Sequence, residues 1–144
     1  MEQFIKEYLP KVDITTNTLS ERVSFLYEVA SKMCPEKIER IFIDDYINED
    51  KSRGYESIWF FSKGFILEAH DFETKDELDI VPIIVYRLMI ELKDYDFCKA
   101  TEESRMRVSL TFAEDLTGEL KAAKENCDIL RDIIFTCIKP KLGS

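Results

Sequence analysis

His70 is the one histidine in the chain, and in LEAHDFE it follows Glu68 by two residues. On a strand that spacing places imidazole and carboxylate on one face, where the acid could orient the ring as a general base. A base alone does not make a reaction. No nucleophile and no Gly-rich cradle accompanies the pair, so it falls short of a catalytic constellation, and a polar strand face beside water accounts for it. No residue is assigned a catalytic role, and the expectation is that the protein is not an enzyme.

Asp44, Asp45, Asn48, Glu49 and Asp50 form a second concentration of oxygen ligands. A calcium loop of the EF-hand kind needs a Gly at its tight turn and a closing Glu at a fixed offset; neither is present. A solvated acidic loop is the expectation. The four cysteines, Cys34, Cys98, Cys127 and Cys137, contain no CxxC pair and have no histidine at ligand spacing. Zinc and redox chemistry therefore both lack their residues. MEQFIKEYLP lacks the basic leader and apolar core of an export signal, so the cysteines are expected to be reduced, buried thiols. No metal and no cofactor is expected.

Lys and Arg number 20 against 29 Asp and Glu, a formal net charge of -9. That balance opposes nucleic-acid phosphates and anionic lipid surfaces, and favours a basic protein partner. With 144 residues, 45% hydrophobic and 12% aromatic content, and only 4 Gly and 4 Pro, the chain can fill one core and has no disordered character. The most apolar run, VPIIVYRLMIEL, is interrupted by Arg87 and Glu91 and is shorter than a bilayer-spanning helix. A cytoplasmic chain without membrane insertion is the expectation.

These residues must be positioned by elements whose periods are readable. Phe4, Ile5, Tyr8 and Leu9 have helical spacing ahead of Pro10. Thr18 and Glu21 form a T-x-x-E capping pattern, and Leu19, Val23, Leu26, Ala30 and Met33 continue as one stripe until Pro35. Residues 1–35 thus read as a helical extension. From Ile38 the period shortens through KIERIFIDDYI, ESIWFF, GFILEAHDF, PIIVYRLMIEL, DYDFCK, RMRVSLTF and GELKAA, so 36–123 reads as seven antiparallel strands. The plainest alternation is Met106, Val108, Leu110 and Phe112 against Arg105, Arg107, Ser109 and Thr111. PIIVYRLMIEL reads as a central strand with Ile84, Tyr86, Leu88, Ile90 and Leu92 inward. Residues 124–139 return to helical spacing, with Cys127, Leu130, Ile133, Ile134, Cys137 and Ile138 on one side.

Seven strands followed by one amphipathic helix resembles the pleckstrin-homology-like domains of bacterial type. The resemblance covers Glu36 to Leu142 and rests on element order. It implies an α+β fold: a seven-stranded antiparallel barrel or sandwich closed by the C-terminal helix, here with an N-terminal helical extension. Lipid-binding members carry basic residues between the first two strands, whereas NEDKSRG sets Lys51 and Arg53 against Asp44, Asp45, Glu49 and Asp50; phosphoinositide binding is not implied.

GYESIWFFSKGFILEAHD is an apparent hairpin with large apolar side chains on both faces. A three-residue SKG turn with Gly64 left-handed pairs Phe61 with Phe65 and sends Trp59, Phe61, Phe65, Leu67 and Ala69 to the core. Ile58, Phe60 and Ile66 are left as a patch on the other face. A two-residue KG turn would exchange the faces. An apolar patch marks a contact, so Ile58, Phe60 and Ile66 are the partner-binding candidates. The helix of residues 18–34 is the intramolecular cover, and a partner or a second copy forming a homodimer is the intermolecular one. The functional expectation is a non-catalytic binding domain acting through protein–protein contacts. The rival expectation is a small acidic inhibitor or immunity protein that neutralises a basic toxin or nucleic-acid enzyme.

Overall fold

A computed structural model of the chain describes residues 2–73, 83–86, 89–96, 105–112 and 116–141. Two helices come first, α1 (Glu2–Lys11) and α2 (Asn17–Met33). Pro10 lies inside the last turn of α1, and the chain then reverses at Asp13, whose φ is 61°. The T-x-x-E pattern does not cap α2: the helix starts earlier, after Thr16, without a side-chain cap. It stops at Cys34, which is extended as residues before proline must be.

Four strands form the first sheet in the order β1 (Ile38–Ile47), β2 (Arg53–Ser62), β3 (Ile66–Ala69) and β4 (Ile83–Tyr86), all antiparallel. Both its faces are covered. One face, with Ile41, Ile43, Ile58, Phe60 and Leu67, shares a core with Ile5, Tyr8 and Leu9 of α1 and Val23, Leu26 and Ala30 of α2. The other, with Phe42, Trp59, Phe61 and Ile66, faces a second sheet and the C-terminal helix. The hairpin is therefore apolar on both faces because it separates two cores.

The second sheet is antiparallel in the order β5 (Met89–Asp96), β6 (Arg105–Phe112) and β7 (Thr117–Ala123). On β6, Met106, Val108, Leu110 and Phe112 are buried as their alternation predicts. The last helix, α3 (Asn126–Ile133), runs on through a π-helical turn, Ile134–Ile138, and a 3-10 turn, Lys139–Lys141. All six residues of its predicted stripe are buried. Among the described residues, no helix is long and apolar enough to cross a membrane.

The expected seven-stranded barrel does not form: the strands make two small sheets, and among the described residues no strand pairing joins them into a closed one. At the junction between β1 and β7 side chains take the place of strand pairing. Where a barrel would set main-chain carbonyls against the β7 amides, Asp44 Oδ1 accepts from the Lys121 amide at 2.7 Å and Asp45 Oδ1 from the Ala123 amide at 2.8 Å. β1 has a register shift between Ile43 and Asp45 at this junction. Trp59 seals it, since a Cβ on Gly118 of β7 would lie 2.7 Å from the indole ring.

Further expectations need correction. Phe61 pairs with Ile66, and the Ser62 amide donates to the Phe65 carbonyl at 3.0 Å, so the hairpin turns on Lys63 and Gly64 alone. Gly64 is not left-handed. The run read as one central strand ends its first segment at Tyr86 and resumes at Met89 in the other sheet, and Ile84, assigned inward, is 39% exposed. Leu88 and Cys98 lie outside the described residues, as do the side chains of Tyr86, Ile90 and Leu92 and with them their inward assignments. The other three cysteines are buried and, among the described residues, form no disulfide.

Candidate functional site

Asp44 and Asp45 belong to a buried strand and not to a solvated loop. Their carboxylates organise the molecule. Asp44 Oδ2 accepts the Trp59 indole N–H at 2.8 Å, while Asp45 takes the Arg53 Nε–H at 2.6 Å and the Asn126 amide at 2.8 Å. Arg53 also donates to Asp13, Glu125 and the Ala123 carbonyl at 2.8, 3.1 and 3.0 Å. Tyr8 closes the set: it donates to Asn126 Oδ1 at 2.7 Å and accepts the Ile43 amide at 2.9 Å. Burial pushes both carboxyls up from the usual range, and the donors around them pull the other way. Burial also pulls Arg53 down, but the Asp45, Asp13 and Glu125 carboxylates offset this and hold the guanidinium above its ordinary value. Every charge here has a structural partner.

Beside this network, between the two sheets, opens a cleft of about 380 Å³ lined by Glu56, Glu68, His70, Ile84, Glu119 and Lys121, among others. Sequence spacing put Glu68 and His70 together, and the fold does so: His70 Nδ1 lies 3.5 Å from Glu68 Oε2. It also adds Ser57, whose hydroxyl donates to Glu68 Oε2 at 2.7 Å and lies 3.4 Å from the same His70 Nδ1. A nucleophilic relay needs serine on one ring nitrogen and acid on the other. Here both groups meet Nδ1, and the serine proton is already directed to the acid. Lys121 is no substitute nucleophile. Burial lowers its pKa, but the Glu56 hydrogen bond and the charges of Glu56, Glu119 and Asp44 raise it more, so the amine stays protonated; Nζ lies 3.2 Å from Glu56 and 3.8 Å from Glu119. Among the described residues, no three His, Cys, Asp or Glu side chains are grouped to hold a metal ion.

The 48–52 loop is a tight turn and not a ligand cage. The Asn48 amide donates to the Ser52 carbonyl at 2.8 Å, and Asp50 Oδ1 accepts the Ser52 amide at 3.0 Å. The serine hydroxyl and amide hold the Asp50 carboxyl below its ordinary range.

The three partner-binding candidates are buried within the chain. Ile58 and Phe60 are buried beneath α1 and α2, and Ile66 is buried on the opposite face with Trp59 and Phe61. The patch was a product of the three-residue turn: with Lys63 and Gly64 alone at the turn, Ile66 changes faces.

The open apolar surface lies elsewhere. Between α1 and α2 runs a groove of about 1100 Å³, floored by Ile5, Leu9 and Ile14. Its α2 wall presents Ser20, Ser24, Tyr27 and Ser31, positions that recur with helical period. Short serine side chains leave room where bulky ones would close the helices together. Phe25 stands on this wall and is 61% exposed, the most open large apolar side chain among the described residues. Its signal in the sequence is a phenylalanine off the Leu19 stripe, on the adjoining face of the same helix. No protein-family model matches the chain, and neither a curated protein nor a solved structure does so.

Proposed function

We propose that the protein is a non-catalytic binding domain that acts through contacts with another protein. One contrast carries the reading: the polar groups capable of chemistry are tied into structural pairs, while Phe25 on the wall of the groove between α1 and α2 stands open to solvent above a floor of core residues. Exposed apolar surface of this kind is unfavourable in a soluble chain and usually marks a contact. The net charge of -9 favours a basic partner, through steering that salt weakens.

Affinity capture with the full chain, from the cells that make it, tests the reading. A protein partner should be retained in stoichiometric amount, be held equally by the Glu68→Gln and His70→Ala variants, and be released as salt rises. Turnover of a small molecule that both variants abolish would overturn the reading, and so would capture of no protein. Retention of a basic toxin or nucleic-acid enzyme, with loss of that enzyme's activity, would specify the binding domain as an inhibitor.

A further inference from the structure

We infer that the groove between α1 and α2 receives an amphipathic, Lys- or Arg-rich helix of the partner protein, with Phe25 as its central apolar contact. The inference rests on the binding-domain reading above and names its surface. The shape selects a helix. Both walls are helices, which offer no strand edge to an extended peptide, whereas a helix brings its own hydrogen bonds and needs only an apolar contact surface. From Ser20 to Ser31 the α2 wall spans about 17 Å at helical rise, which fits roughly three turns of a guest.

The rim selects its charge. Glu2, Glu21 and Glu28 line the groove against Lys6 alone, and all four are exposed. Glu28 also contacts Lys32 at 3.3 Å, but that pair is itself exposed and yields readily to a competing cation. A guest helix with apolar residues every three or four positions would pack on Phe25 above the buried Ile5, Leu9 and Ile14, while its flanking Lys or Arg reached the rim carboxylates.

Photocrosslinking tests this in the intact chain. With p-benzoylphenylalanine substituted for Phe25, the adduct recovered from the native cells should map by mass spectrometry to a basic segment with helical apolar period. A synthetic peptide of that segment should bind the unmodified chain, bind Phe25→Ala at least ten-fold more weakly, and lose affinity when its Lys and Arg are replaced by Gln. An adduct between two copies of this chain, an acidic or non-periodic segment, or equal affinity for Phe25→Ala would overturn the inference. The same crosslinker at Val85, 39% exposed on β4, separates the two readings. A protein adduct there and none at Phe25 sinks the groove and leaves the binding domain standing; adducts at neither position sink the groove, and together with capture of no protein they sink both.

Discussion

Arg53 and Asp45 have lost almost all contact with water, with side chains 4% and 0% exposed, so each depends on the other for solvation. Arg53→Ala strands the Asp45 carboxylate in the interior and should cost about 3–5 kcal/mol in denaturant unfolding, the range for breaking a buried pair from one side. Arg53→Lys should recover only part of it, because an ammonium cannot hold Asp45, Asp13 and Glu125 in the directions the guanidinium fork does. Asp44 makes a pH prediction. Its folded pKa is raised by burial, so its contribution to stability is complete below the unfolded value of about 3.9 and declines as pH climbs through the raised folded value. Asp44→Asn removes that titration. Unfolding at several pH values from about 4 upward should show the variant gaining on the parent as pH increases; a difference independent of pH would contradict the shift. The sequence hid this cluster. Two aspartates between Ile43 and Tyr46 are unusual in a strand, but only the distant Arg53, Asn126 and β7 amides explain them, and nothing local marks those as partners.

At the scale of elements, neighbouring positions on α2 separate packing from surface. Leu26→Ala should cost about 2–5 kcal/mol, the range for a buried leucine, because Leu26 fills the core shared by α2 and the first sheet. Phe25→Ala should change stability by no more than about 0.5 kcal/mol, as surface substitutions usually do. Paired unfolding measurements on the two variants check both. Periodicity made such elements legible: the alternation of β6 and the stripe of α3 are buried as the spacing requires. Met33 ends the α2 stripe by spacing yet is exposed, because the helix stops there before the core does. Hairpin register was beyond local reading, since both faces of Ile58 to Phe61 are equally apolar and each alternative turn offered a consistent pattern.

For the whole molecule, the joint between the sheets is tightest at Gly118, where no side chain fits against the Trp59 ring. Gly118→Ala should cost about 1–3 kcal/mol by overpacking and speed amide exchange in β6 and β7 more than in α1 and α2. The pairing of strands into two sheets could not be read from element order, because open and closed arrangements share it; two carboxylates standing in for carbonyls decide the outcome. The Tyr8 hydroxyl and Asn126 side chain that meet across this architecture are 118 residues apart, and that separation bears on synthesis. At the usual ribosomal pace of about 5–20 residues per second, roughly 6–24 s pass between the emergence of the two. Through that interval the helical segments of the nascent chain lack the last support for their docked position, and the Leu26 stripe is exposed. Stalled nascent chains ending just short of Asn126 should therefore remain protease-sensitive in the α1–α2 segment, and those extended past Ile138 and clear of the exit tunnel should become resistant.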